Sequence, residues 1–254
     1  MAVPIIAWLG GKRRLAKTLL PLFPEHRCYV EPFCGAAALY FMKDPAKCEV
    51  INDINGDLVN LFKIVKHHPE ALVKEFQHAL CSRQMFEWLK HTPSELLTDI
   101  QRAAKFYYLQ KLAFGARHTN PSFGTATSSP PRLNLNNLQK DISQAHERLK
   151  RTLIEHDDWY NVMTRYDRPH TFYYLDPPYY KLTGYGVDFD FEQYKKMANF
   201  MANCKGKVLV SLNDHPDIVE VFSAFNIERT DITYTVGGST HEPRRSSELI
   251  IKNY

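Results

Sequence analysis

Short apolar, β-branched and aromatic runs that alternate with stretches of helical periodicity restrict the fold of this chain more than any other feature. The runs at 28–30, 49–52, 152–155, 172–175, 208–212, 227–234 and 248–252 read as strands, most of them buried on both faces. Helical patterns at 13–22, 36–42, 57–65 and 191–202 separate them. A strand that is apolar on both faces needs a helical layer on each side, so the alternation predicts an α/β fold built on a doubly wound sheet.

The alternation stops between 66 and 150. Helical segments at 71–81, 84–89 and 96–112 lead there into 114–137, which is rich in Gly, Pro, Ser, Thr and Asn. This stretch reads as an inserted, mainly helical subdomain, with 1–65 and 151–254 forming the main domain. Its 119–137 portion is expected to be either a linker or a mobile loop that a ligand orders. The insert carries 12 Lys and Arg against 7 Asp and Glu, while the rest of the chain carries 20 against 21. That excess suits a polyanion, and it equally suits a solvated surface.

No apolar stretch approaches the ~18 residues of a membrane span, and the first residues lack the basic start of a signal peptide. A cytoplasmic protein is expected. The five cysteines are scattered and form no Cys-x-x-Cys pair, which argues against a disulfide framework and against a zinc site.

Three constellations carry chemistry. Tyr29-Val30-Glu31-Pro32-Phe33-Cys34-Gly35-Ala36-Ala37 is a strand, a tight turn of small residues and a helix start. It is either a nucleotide-cofactor turn or a plain tight connection, and it lacks the full Gly-x-Gly-x-x-Gly of a pyrophosphate cradle. Asn52-Asp53-Ile54-Asn55 puts an acid after the next strand, where it would accept two ribose hydroxyls or cap a helix. Phe172-Tyr173-Tyr174-Leu175-Asp176-Pro177-Pro178-Tyr179-Tyr180 is the most specific, a buried strand ending in an acid, two prolines and an aromatic.

Proline fixes φ and gives up its donor, so this last arrangement presents carbonyls rigidly beside a carboxylate. Such a site recognises a planar amine. The lone pair of an exocyclic amine is delocalised into its ring, which makes the nitrogen a poor nucleophile. Acceptors at Asp176 and the Pro177 carbonyl would pull on its two hydrogens and let it attack an electron-poor methyl group in line. Tyr179 is expected to stack on the base, which must leave the duplex to reach the site.

Together with Trp8-Leu9-Gly10-Gly11-Lys12, these blocks resemble the motifs of the Dam-type, D12 class DNA adenine-N6 methyltransferases, in the same order and over nearly the whole chain. The resemblance implies a Rossmann-like methyltransferase sheet with a target-recognition insert, S-adenosylmethionine as methyl donor, no metal, and double-stranded DNA as substrate. It implies that Trp8 and Lys12 flank the methionine end of the cofactor, that Phe33 and Gly35 contact it, that Asp53 holds its ribose, and that Asp158 borders its adenine. Asp176 would touch both the cofactor side and the target amine. Arg117 and Asn120 would read base edges, and Arg132, Arg244 and Arg245 would face DNA.

The segment Phe114-Gly115-Ala116-Arg117-His118-Thr119-Asn120 is shorter than the recognition segment of the best-known relatives, so the target sequence stays open. No cysteine has the Pro-Cys context of carbon-5 cytosine methylation, and no covalent enzyme intermediate is expected. Methylation of an RNA base or a protein glutamine, and a catalytically silent DNA-binding relative, are the alternatives. The acid Asp176, the basic insert and the intact cofactor set weigh against them. A monomer is expected.

Overall fold

The computed structural model describes residues 3–8, 10–125, 127–182, 188–234 and 244–254, without the side chains of 232–234 and 244–246. Every run expected as a strand forms one: β1 Cys28–Glu31, β2 Cys48–Asn52, β3 Leu153–Glu155, β4 Thr171–Leu175, β5 Lys207–Asn213, β6 Asn226–Tyr234 and β7 Arg244–Lys252. They make one sheet in the order β3-β2-β1-β4-β5-β7-β6. The first five in that order are parallel, and β7 enters antiparallel between β5 and β6. The chain therefore winds outward in both directions from β1 and β4, and such a switch point opens a crevice at the carboxyl ends of the strands.

Side chains alternate across the sheet. Tyr29, Ile51, Phe172 and Tyr174 face one helical layer, and Val30, Val50, Tyr173 and Leu175 face the other. The first layer contains α1 Ala16–Leu19, α2 Ala38–Met42, α3 Gly56–His67, α4 Pro69–Lys74, α5 Arg83–His91, α6 Asp99–Leu112 and α7 Leu135–Leu149. The second contains α8 Trp159–Tyr166, α9 Phe191–Asn203 and α10 Pro216–Val221. The result is the Rossmann-like α/β arrangement. β4 is buried along its whole length, and each of its large side chains contributes roughly 1.5–3 kcal/mol. That anchors the residues that follow it.

Some helices depart from their periodicity. The pattern at 13–22 breaks into short pieces around α1, because Pro21 lacks the N–H that a continuous helix needs. The pattern at 71–81 ends as α4 at Lys74, where successive three-residue turns replace helical bonds. The helix α7 begins inside the stretch read as a loop, capped by the Asn134 side chain on Asn136 and Asn137. Residues of 66–150 also share one apolar cluster with the sheet, Leu72, Tyr107 and Ile142 lying in it with Tyr29 and Phe172. Arg148 at the end of α7 ties the segment to β2 through the Glu49 carboxylate and to α2 through the Tyr40 carbonyl.

Candidate active site

Glu31 closes β1, Asp53 follows β2 and Asp176 follows β4, so the parallel strands deliver three acids to one edge of the sheet. All three line a cavity of about 550 Å³, which is in the range of small-molecule sites. Trp8, Phe33, Gly35 and Pro178 line it too, and His118 and Asn120 close it from the loop after α6.

The turn after β1 explains its small residues. Gly35 sits at φ +48, and a Cβ there would stand 2.7 Å from both Cδ1 and Nε1 of Trp8. Glycine meets both the backbone conformation and the close approach of the indole. Trp8 in turn stacks on His118, with ring centroids 4.6 Å apart and planes 6° from parallel. One wall of the cavity is thus made jointly by the N-terminal segment and the insert.

Asp53 had two readings, and the helix cap falls to its neighbour. Asn55 caps α3 by accepting from the Asp57 and Leu58 N–H groups. Asp53 accepts the Gly35 and Asn55 N–H groups at 2.9 Å each, one on each oxygen, and still faces the cavity. Burial raises its pKa against the pull of those donors.

The floor is a charged ring. Lys12 is 4% exposed, and its ammonium donates to Asp176 Oδ1 and to Tyr179 Oη at 2.6 Å each. Glu248 Oε1 lies 3.2 Å from the same nitrogen, and Tyr179 donates to Glu248 Oε2 at 2.6 Å. Burial opposes the Lys12 charge, but Asp176 and Glu248 outweigh it and hold its pKa well above the ordinary lysine value. Burial pushes Asp176 up to about 6, with Lys12 pulling it down and Glu248 pushing it further up.

Glu31 goes up to about 8 through burial, even though the Tyr29 hydroxyl donates to it at 2.8 Å. Two acids of one cavity are thus set apart, Glu31 pushed further up by burial than Asp176, which Lys12 pulls back down.

The turn after Asp176 is fixed from both sides. Tyr194 Oη donates to the Pro178 carbonyl at 2.7 Å. The Tyr180 N–H donates to Asn213 Oδ1 at 2.9 Å, and Asn213 Nδ2 returns a bond to the Tyr180 carbonyl. Among the described residues no donor meets the Pro177 carbonyl. Asp176 and that carbonyl are the two acceptors the sequence pattern asked for.

Other expected residues stand elsewhere. Tyr179, expected to present a stacking face, is 7% exposed, with the Lys12 ammonium 4.5 Å from its ring centroid. Its hydroxyl serves two buried charged partners, and the residue is not part of the cavity lining, whereas its neighbour Pro178 is. Asp158 is exposed and caps α8 by accepting the Tyr160 N–H at 2.9 Å, away from the cavity lining. Lys12 lines the cavity as expected, but its nearest charged partners are the acids Asp176 and Glu248.

Asn120 is exposed at the cavity mouth, Arg117 is exposed on a second, smaller cavity, and Arg132 is exposed on the loop before α7. Arg244 and Arg245 open β7, and their side chains lie outside the described residues. Sequence reasoning gave no role to Glu31, His118 or Glu248. For Glu31 and Glu248 the signal was an acid at the boundary of an apolar run; for His118 there was none.

Residues 8–236 match the family described as D12 class N6 adenine-specific DNA methyltransferase. Over 275 residues the chain is 26% identical to Type II methyltransferase M1.LlaDCHI of Lactococcus lactis subsp. cremoris, spanning 99% of this chain and 95% of that one. It is 26% identical to Type II methyltransferase M.CviBI of Paramecium bursaria Chlorella virus NC1A, over 99% of both chains. It is 24% identical to a DNA adenine methylase of Haemophilus influenzae, over 97% of this chain and 92% of that one.

Proposed function

This chain belongs to the D12 class N6 adenine-specific DNA methyltransferases, and on that premise we propose that Asp176 and the Pro177 carbonyl hold the reacting amine of an adenine extruded from double-stranded DNA. When bound, S-adenosylmethionine supplies an electron-poor methyl group carried on sulfur. The cavity suits it. Asp53 keeps acceptor capacity for a ribose beyond its two backbone bonds, Phe33 offers an apolar face, and Asp176 offers a carboxylate to a cationic ligand.

The observation that carries the reading is the state of Asp176. One of its oxygens is held by Lys12, which keeps the carboxylate ionised, and the other is available to accept an N6 hydrogen. The Pro177 carbonyl, fixed by the bonds on Pro178 and Tyr180, accepts the second hydrogen. Both pull electron density back onto the nitrogen, and both are in place before the reaction begins, so little reorganisation is needed. As the nitrogen gains a bond to carbon it must shed a proton, and Asp176 is the base within reach. In this reading Lys12 is a positioning residue that acts through Asp176, and Tyr179 holds Lys12 instead of stacking on the base.

The segment 66–150 is assigned to target recognition, with Arg117, Asn120 and Arg132, joined by Arg244 and Arg245, facing the DNA. Phosphate contacts from such arginines would strengthen binding without reading sequence. We assign the protein to the cytoplasm as a monomer.

The test is transfer of labelled methyl from S-adenosylmethionine to unmethylated plasmid, followed by mapping of the modified adenines. Label is expected in N6-methyladenine at a defined site. Asp176→Asn is expected to lower kcat by roughly 10²–10³-fold, the usual cost of one preorganised electrostatic contact, with duplex binding little changed. Absence of transfer by the parent chain across varied duplexes would overturn the reading.

A further inference from the structure

The second cavity, of about 210 Å³, adjoins the first, and Asn55 and His118 line both. One face of α6 forms much of its wall, since Arg102, Phe106 and Gln110 recur at every fourth residue. Its charge is mainly positive, with Asp57 the acid in its lining. Lys90, Lys105 and Arg117 line it, and among the described residues none of the three pairs with a carboxylate, Lys105 donating to the Thr92 carbonyl and the Ser94 hydroxyl. Arg102 is the exception, bound to Asp57 at 2.9 Å.

At the same wall lies an anomaly. Gln110 is 2% exposed, and among the described residues neither its amide oxygen nor its amide nitrogen has a hydrogen-bond partner. Leaving a buried polar atom unpaired costs roughly 1–3 kcal/mol, so a protein keeps such a group where something else completes it. The missing partner must offer an acceptor beside a donor, must tolerate the Phe106 ring, and must bring negative charge to the cations.

We propose that this cavity is a second nucleotide subsite for the DNA substrate, in which Lys90, Lys105 and Arg117 take the phosphate and Gln110 pairs with the edge of the base. The proposal rests on the DNA methyltransferase reading and deepens it. A glutamine amide matches adenine, which presents an acceptor beside a donor. An amide this deeply buried cannot be reached by a base stacked in a duplex, so the nucleotide enters unstacked, separated from the target cavity by the His118 partition. Recognition of a base beside the methylated adenine then depends on one helix of the insert.

The test compares the parent chain with Gln110→Leu and Lys90→Ala, each first checked for a cooperative melting transition and for unchanged S-adenosylhomocysteine binding. The recognition site is mapped on plasmid, and duplexes carrying 2-aminopurine at each position of that site are titrated with protein. Two positions are expected to brighten, the target and one other. Gln110→Leu is expected to abolish the second signal, to spare the first, and to lose roughly tenfold to a hundredfold discrimination at that position. Lys90→Ala is expected to weaken duplex binding and flatten its salt dependence.

Two results would overturn the subsite while leaving the enzyme reading intact: a single bright position, or Gln110→Leu with unchanged site preference. Binding of free deoxyadenosine monophosphate that Gln110→Leu abolishes, with site preference unaltered, would assign the cavity to a free nucleotide and overturn the DNA assignment. A parent chain that methylates nothing would fail at the earlier step, the reading on which this one rests.

Discussion

Lys12 and Asp176, 164 residues apart in the chain, meet in an ion pair at 2.6 Å, the lysine buried and the acid 21% exposed on the cavity side. Glu248, whose side chain is 2% exposed, lies 3.2 Å from the same ammonium, so Lys12 balances a buried acid as well. Removing one partner of a buried pair leaves the other desolvated and uncompensated, which typically costs about 3–5 kcal/mol. Lys12→Met is therefore expected to lower the unfolding free energy by an amount of that order in urea titrations. It should also raise the pKa of Asp176, which a shift of the acid limb of kcat to higher pH would register.

The parent enzyme should itself show an acid limb. Asp176 is held at about 6 by burial, eased by Lys12, and only its ionised form can accept from the Lys12 ammonium on one oxygen and from the amine on the other. Single-turnover methyl transfer is expected to fall about tenfold for each pH unit below that value. A rate that is flat from pH 7 to pH 5 would remove Asp176 from the acceptor role.

Glu31 predicts a stability effect of the opposite origin. Its pKa rises from an ordinary 4.5 to about 8 on folding, with burial as the main cause. The folded state therefore keeps a proton that the unfolded chain has already released. Stability falls as pH rises from about 4.5 to about 8 and levels off above that, at roughly 1.4 kcal/mol per unit at the steepest. Glu31→Gln keeps the hydrogen-bonding shape without the ionisation, so urea unfolding at pH 5 and pH 8.5 should differ less in the variant than in the parent.

Gly35→Ala tests the joint wall. The added methyl would meet the Trp8 indole at 2.7 Å on a backbone with φ +48, and displacing the indole also unseats His118. Calorimetric affinity for S-adenosylmethionine is expected to drop at least tenfold, with a melting temperature lowered by only a few degrees. Unchanged affinity would show that Trp8 is not part of the cofactor wall.

The strands and the turn after β4 were legible because their constraint is local. An apolar run ending in an acid and two prolines has few other uses, and burial on both faces leaves its mark on every residue. The helix α7 was equally legible in principle, since Leu138, Ile142, Ala145 and Leu149 recur at helical spacing; the turn residues just before them obscured it, and no helix was expected there.

Tyr179 and Lys12 were another matter. Which partner a phenol or an ammonium finds depends on Glu248, which comes from a strand far along the chain and is brought in by antiparallel pairing with β5. Motif order gives no register of that kind. Asp158 shows the converse, an acid whose local use as a helix cap fully accounts for it.

The insertion of β7 between β5 and β6 has a temporal consequence. The ring around Lys12 takes members from the first fifteen residues, from the turn after β4 and from Glu248 on β7. A ribosome adding about 5–20 residues per second thus exposes β1, β2 and β4 for many seconds before the acid that completes the ring has been made. Until then Lys12 and Tyr179 lack one of their partners, and the nascent chain carries an unfinished pocket. Catalytic competence waits on the synthesis of β7, and a chain released before β7 would have the cavity walls without the charge balance beneath them.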